Sequence, residues 1–247
     1  MAVEALEKSV TDFEYEIIVV DNNSTDTESL SFLERAAGDN RLTLIKSPKN
    51  VGFGRGNNLG AKVAGGKYLF LHNPDVTVKE DSLQKAVEFM DRHPDVGIMG
   101  PKLVYSSGKV QESCRRIMKF TDLVLNRTFL GRLPFFKSRV QNYLMEDFDH
   151  SSVREVDLLT GAAMIIPRAV FEKTGGFDKR YSLFMEDFDL CREIKKAGYK
   201  IIYKPEIELR HNHKRLSQGS ILRLVLKKVF WKHLISAIKY FWKWRKS

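Results

Sequence analysis

The chain has 247 residues, 43% of them hydrophobic, enough for one large or two small domains with a sizeable core. Its formal charge of +10 is gathered at one end: residues 221–247 hold eight Lys or Arg and no acid, while the other 33 basic residues nearly balance 31 acidic ones. A near-neutral body argues against nucleic-acid binding, where the positive charge sits on the folded domain. Two cysteines, Cys114 and Cys191, fit no metal or disulfide spacing and read as reduced thiols of a cytoplasmic protein. Residues 1–11 are amphipathic rather than apolar, unlike a signal peptide, and no apolar run approaches the ~20 residues that span a bilayer.

In chain order, residues 16–21 read as a buried parallel strand ending in a carboxylate. Residues 22–26 form a turn and helix cap, 29–37 a short helix, and 42–46 a second strand. A glycine-rich loop over 48–56 leads into a helix at 57–64, and 67–72 form a third strand. A helix at 81–92 and a fourth strand at 96–99 follow. Strands alternating with helices indicate an α/β domain with a mostly parallel sheet. Beyond Pro101 the pattern changes to a hairpin-like excursion over 103–114, then an aromatic, basic insert with some helix over 120–150. Strand returns at 156–167, helix at 168–174, helix at 186–197 and strand at 200–204.

Several positions carry chemistry. Asp21 ends a strand where open α/β sheets bind ligands, and Asn22-Asn23-Ser24-Thr25-Asp26 adds polar groups; a capped turn explains them equally. The run from Asn50 to Asn58 sets Gly52, Gly54 and Gly56 before a helix, which suits an anion but lacks the Lys-Ser/Thr ending of a Walker motif. A plain structural loop is the alternative. In Asn73-Pro74-Asp75 the proline ends the strand and leaves Asp75 at its edge, where it suits a hard divalent cation such as Mg2+ or Mn2+, or caps the next turn. Thr160-Gly161-Ala162-Ala163 leaves room for a ligand near the backbone, or for core packing. Glu186-Asp187-Phe188-Asp189 opens a helix with three acids, more than a cap needs. His211-Asn212-His213 follows the last strand of the body, and imidazoles two apart on an extended segment face one side, as a metal site requires.

Taken in order, Val19 to Asp26, Asn50-Val51-Gly52-Phe53, Asn73-Pro74-Asp75, Gly161-Ala162-Ala163-Met164, Gly175-Gly176-Phe177-Asp178 and Glu186 to Cys191 resemble the motifs of family two inverting glycosyltransferases. Within that family the resemblance is to bacterial rhamnosyltransferase-like enzymes of polysaccharide assembly, and it covers about residues 10–217. It implies a GT-A-type, Rossmann-like, mostly parallel sheet flanked by helices. It also implies a nucleotide-diphosphate sugar donor, a divalent metal (Mg2+ or Mn2+) and transfer with inversion to a hydroxyl of a lipid-linked or polysaccharide acceptor. Asp21 would lie near the nucleotide, Asp75 would be the last acid of a DxD-type metal motif, and His211 or His213 would bind metal or diphosphate. Asp187, with Glu186 beside it, would be the catalytic base. Asn23, Asn50, Gly52, Asn57, Asn73 and Gly161 complete the candidate donor-binding set.

Two departures qualify this resemblance. Asn73 replaces the first carboxylate of a DxD motif, which implies weaker metal dependence. Family members also open with an apolar strand and a helix, of which residues 1–10 resemble only the helix end. The expectation is a sheet lacking its first strand beside residues 17–20, with low stability and weak or absent activity that an upstream segment would rescue.

Residues 1–217 therefore read as the glycosyltransferase domain and 218–247 as a basic amphipathic tail. Leu222, Val225, Leu226, Val229, Phe230, Ile235, Ile238, Phe241 and Trp242 recur at helical spacing among lysines and tryptophans, a pattern suited to an anionic membrane surface on the inner face of the membrane. Packing on the body or on a homodimer partner is the alternative. Competing functions are a sugar nucleotidyltransferase, for which no glycine-rich, Lys/Arg-bearing loop is evident on the first strand, and an inactive remnant or non-catalytic sugar-nucleotide-binding subunit.

Overall fold

The computed structural model describes residues 2–127, 133–212 and 228–245. A short helix α1 (Ala2–Glu7) precedes strand β1 (Ile18–Asp21), whose β-branched run pairs in parallel with β2 (Thr43–Lys46), Ile18 opposite Thr43 and Asp21 opposite Lys46. Between them lies α2 (Thr27–Gly38), capped by the Asp26 carboxylate, which accepts from the Glu28 amide. Helix α3 (Phe53–Ala61) starts four residues earlier than the sequence pattern suggests, because two of its glycines are packing positions inside the helix. A Cβ on Gly54 would come within 2.8 Å of the Phe177 Cβ.

The main sheet follows. Strands β3 (Tyr68–His72) and β4 (Val76–Thr77) flank the Asn73-Pro74-Asp75 turn, and α4 (Ser82–Arg92) leads to β5 (Val96–Val104). The short β6 (Val110–Gln111) returns on β5 as the expected hairpin, with Leu103 opposite Gln111. After β7 (Cys114–Arg115) the insert forms two packed helices, α5 (Phe120–Arg127) and α6 (Pro134–Leu144). Strands β8 (Arg154–Glu155), β9 (Leu158–Leu159) and β10 (Ala163–Pro167) precede α7 (Arg168–Lys173), α8 (Glu186–Lys196), the long β11 (Lys200–His211) and the C-terminal helix α9 (Lys228–Lys243).

Seven strands form one sheet in the order β3-β10-β5-β11-β4, with β6 added to β5 and β8 to β11. This sheet is mixed where a mostly parallel one is expected. β5 and β11 run parallel, but β10 enters antiparallel between β3 and β5, and β4 lies antiparallel to β11. The chain reaches β10 through the insert and the β7–β9 pair rather than through a right-handed helical crossover, so nothing forces it parallel. The β1–β2 pair is a separate two-stranded sheet, and β1 pairs with no other described strand.

Alternation along the strands divides the core. Leu69, Ile98, Met164, Ile166 and Ile201 face α7 and α8 with Phe171, Phe177, Leu190 and Ile194. Their neighbours Phe70, Met99, Ile165 and Ile202 face α4 and α1 with Ala86, Met90, Ala5 and Leu6. A third cluster joins the insert to α9 through Met118, Tyr143, Tyr181, Met185, Ala237, Tyr240 and Trp244. Cys114 and Cys191 are buried free thiols; burial pushes Cys114 up to about 12 and Cys191 higher, so both stay protonated.

Candidate active site

The motifs converge where β3 and β10 meet the first turn of α8. The backbone N–H of Asn73 donates to the Ala162 carbonyl at 2.9 Å, bringing the end of β3 against Gly161-Ala162. Gly161 N–H in turn donates to Asp187 Oδ2 at 2.9 Å, and Phe188 N–H donates to Oδ1 at 2.9 Å. Both carboxylate oxygens of Asp187 are thus fixed by backbone amides at the positive end of a helix. Against this, burial raises the Asp187 pKa. Glu186 beside it is 5% exposed, and burial, then the Asp187 charge, pushes it up to about 7. Two adjacent carboxyls with unequal settings are a frequent arrangement for proton transfer near neutral pH.

The turn feeding this helix is strained. Phe184 and Met185 both have left-handed backbones, with φ of 64° and 70°, a conformation costing about 1 kcal/mol or more per non-glycine residue. Burial of Met185 and the Phe184 ring lying 4.6 Å from His233 of α9 hold them there. Asp189, in the first turn of α8, accepts from Tyr181 Oη (3.0 Å), Lys243 Nζ (2.6 Å) and Trp244 Nε1 (2.7 Å).

The glycine-rich segment packs on the same turn. Gly52 has φ +90°, and a Cβ there would sit 2.5 Å from the Ser182 carbonyl oxygen, so only glycine fits. Asn50 Oδ1 accepts from Gly52 N–H, and the Asn22 amide binds both this asparagine and the Val51 N–H. Asp21, buried at the end of β1, accepts from Ser24 N–H, and Asn23 is exposed in a left-handed turn. Asn57 turns its amide back to the Phe53 carbonyl, whereas Asn58 grips Phe177 through both its N–H and carbonyl.

At the other edge of the turn, β11 runs beside β4, and Asp75 Oδ1 lies 3.3 Å from His211 Nε2. Gln111 Oε1 stands 2.6 Å from His211 Nδ1 and orients the ring. An imidazole nitrogen beside a carboxylate oxygen is a donor set that fits a divalent cation. Among the described residues no group of three His, Cys, Asp or Glu is placed to hold a metal, so a cation here would take further oxygens from substrate or water. His213 lies outside the described residues.

Sequence reading found the acids and His211 because each ends a strand or starts a helix. It passed over Gln111 and gave Asn22, Asn58, Lys243 and Trp244 no such contacts, because the partners of these residues lie 28 to 119 residues away along the chain.

A family model described as glycosyl transferase family 2 matches residues 2–175. The chain belongs to that family. An N-acetylglucosaminyl-diphospho-decaprenol L-rhamnosyltransferase of Mycobacterium tuberculosis is 29% identical over 218 residues, covering 82% of this chain and 68% of the relative. The rhamnosyltransferase WbbL of Escherichia coli K12 is 25% identical over 198 residues, covering 72% and 69%. Among solved structures, GalNAc-T7 with UDP, GalNAc and Mn2+ aligns with a TM-score of 0.67 at 14% identity, over 97% of this chain and 44% of that one. Staphylococcus aureus TarS with UDP-GlcNAc aligns with a TM-score of 0.57 at 18% identity, over 90% and 56%. This glycosyltransferase thus spans about half the length of those solved chains, and its architecture is of the GT-A type.

Proposed function

We propose that the chain moves a sugar from a nucleotide-diphosphate donor to a hydroxyl of a lipid-linked or polysaccharide acceptor, with inversion at the anomeric carbon. The observation that carries this reading is the Asp187 carboxylate, held by the amides of Gly161 and Phe188 at the start of α8. Each oxygen keeps a further lone pair, and either can take a proton. Asp187 removes the acceptor hydroxyl proton while that oxygen bonds to the anomeric carbon. The bond from that carbon to the diphosphate breaks on the opposite face, and the nucleoside diphosphate leaves with its electron pair. Glu186, titrating near neutrality, sets the charge next to the base.

Asp75 and His211 would hold a divalent cation, Mg2+ or Mn2+. When bound, such an ion supplies charge neutralisation to the departing diphosphate. Asp21, Asn50 and Gly52 border the nucleotide side, and the GalNAc-T7 and TarS structures, which carry UDP or UDP-sugar, support a nucleotide-sugar donor. The two rhamnosyltransferase relatives support a rhamnosyl or similar hexosyl donor and, for the mycobacterial protein, a lipid-diphosphate-linked acceptor. The reaction would run on the cytoplasmic face of a membrane in cell-envelope polysaccharide assembly, with residues 218–247 as the attachment and residues 1–217 as the catalytic body.

A second reading, a non-catalytic sugar-nucleotide-binding subunit, is favoured by one observation: among the described residues the β1–β2 pair carrying Asp21 shares no strand pairing with the sheet carrying Asp75. Donor turnover across UDP-, dTDP- and GDP-sugars separates the two. Release of nucleoside diphosphate that Asp187→Asn abolishes supports transfer; donor binding with no release in either protein supports the subunit.

A further inference from the structure

Helix α9 has two unlike faces. Ser236, Ala237, Tyr240 and Trp244 are buried against the body. On the other side Trp231, Ile235, Ile238 and Trp242 are 52%, 49%, 54% and 68% exposed, at spacings of four, three and four residues that align them in one stripe. Phe120, also exposed, meets the Phe241 ring edge-on at 5.4 Å and carries the apolar surface across to α5. Lys232, Lys239 and Arg245 are exposed on the same helix, and the guanidinium of Arg245 lies 4.0 Å over the Trp242 ring. No acid occurs in residues 221–247. A contiguous stripe of large apolar side chains with cations along it needs a partner that is apolar inside and anionic at its rim.

We propose that the Trp231-Ile235-Ile238-Trp242 face of α9 is a membrane-contact surface that lies flat in the headgroup region of an anionic bilayer. The indole and isoleucine side chains enter the acyl boundary, and Lys232 and Arg245 meet lipid phosphates, while Lys239 donates to the Arg180 carbonyl at 3.0 Å and ties the helix to the body. No helix among the described residues is long and apolar enough to cross a membrane, so contact is from one side. Charge complementarity selects lipid over a second copy of the chain, whose α9 would bring cations to cations. The inner face gives the contact a consequence. Lys243 and Trp244 grip Asp189 in the first turn of α8, the turn that carries Asp187. A bilayer held on the outer face therefore sets the height of that turn above the lipid, where a lipid-linked acceptor presents its hydroxyl. This placement rests on the glycosyl-transfer reading; the lipid contact itself does not.

All three tryptophans of the chain lie on α9 or just beyond its end, Trp231 and Trp242 on the outer stripe and Trp244 on the inner face, so the protein's intrinsic tryptophan fluorescence reports on this region alone. The test adds the full chain to vesicles of phosphatidylglycerol and phosphatidylcholine, to phosphatidylcholine alone, and to the mixed vesicles with brominated acyl chains. The expected result is a blue shift and bromine quenching with the anionic vesicles, and binding at least about tenfold weaker to phosphatidylcholine alone. In the variant combining Trp231→Phe and Trp242→Phe, the remaining Trp244 signal should escape quenching. Replacing all four stripe residues by Ser should cut vesicle binding at least about tenfold while leaving the melting temperature in place, since each side chain is already exposed. Equal binding to both vesicle types, strong quenching of Trp244, or a concentration-dependent dimer that the four-Ser variant turns monomeric would overturn the proposal. Asp187→Asn should bind vesicles as the unsubstituted chain does. Lost transfer with intact vesicle binding would count against the transfer reading alone; lost vesicle binding with intact transfer to a soluble acceptor would count against this contact alone.

Discussion

Glu186 illustrates how burial sets chemistry at a single position. Its carboxyl is raised from 4.5 to about 7 by burial and then by the Asp187 charge. A raised acid contributes stability that is complete below the unfolded value and is lost as pH climbs through the folded one. Unfolding free energy should therefore fall as pH rises from about 4.5 towards 7 on account of this group. Denaturant titrations at several pH values should find this slope reduced in Glu186→Gln; an unchanged slope would place its origin elsewhere. Gly52 gives a second expectation. Its φ of +90° and the nearby Ser182 carbonyl make Gly52→Ala costly, about 2 kcal/mol or more, whereas Gly108→Ala, with the same backbone sign but open space around it, should cost less. Similar losses for both would show that crowding at Gly52 is unimportant. Residues such as Asp75, Asp187 and Gly52 were legible in the chain because each marks an element boundary. Gln111 was not: it reaches His211 across 100 residues, and nothing in its own neighbourhood signals that.

At the scale of elements, α9 fastens the start of α8. Lys243, 16% exposed, meets Asp178, Asp189 and Glu193 at 3.2, 2.6 and 2.7 Å. Burial works against ionised Asp178, but hydrogen bonds from Arg180 and Lys243 outweigh it and keep this carboxyl well below the usual range. Lys243→Met leaves three carboxylates facing one another and should lower stability by about 3 kcal/mol. A melting curve that does not move on Lys243→Met would mean that α9 is not held by this cluster. Most strands and helices were legible from hydrophobic period and punctuation, including the break after Pro101. The exception of consequence was α3, where a run of glycines reads as loop. Packing on Phe177, a contact more than 120 residues away, makes it helix instead. The insert's two helices, α5 and α6, carry aromatic side chains out to solvent, with Phe135 91% exposed, and so lack a clean apolar stripe.

Over the whole molecule, the sheet comes in two pieces, and that division has a measurable consequence. Among the described residues the β1–β2 pair has two strands and no strand pairing with the seven-stranded sheet, while β5 and β11 are paired and buried through the centre. Native-state hydrogen exchange should find the amides of β1 and β2 opening well before those of β5 and β11. Uniform protection across all four would mean the two sheets unfold as one unit. The α/β class and the family were legible from the order of motifs. Strand direction was not, because a sequence of strands and helices favours parallel pairing by default. Here the path through the insert brings β10 in antiparallel.

The central claim is that Asp187 takes the acceptor proton, and steady-state transfer by Asp187→Asn, measured with the donor and acceptor that the unsubstituted chain uses, tests it most directly. Asparagine keeps a carbonyl oxygen for only one of the Gly161 and Phe188 amides and turns its NH2 to the other, so the melting temperature is measured alongside to separate lost chemistry from lost fold. The account predicts a fall in kcat of about 100- to 10,000-fold. A variant that transfers sugar at the original rate would contradict it.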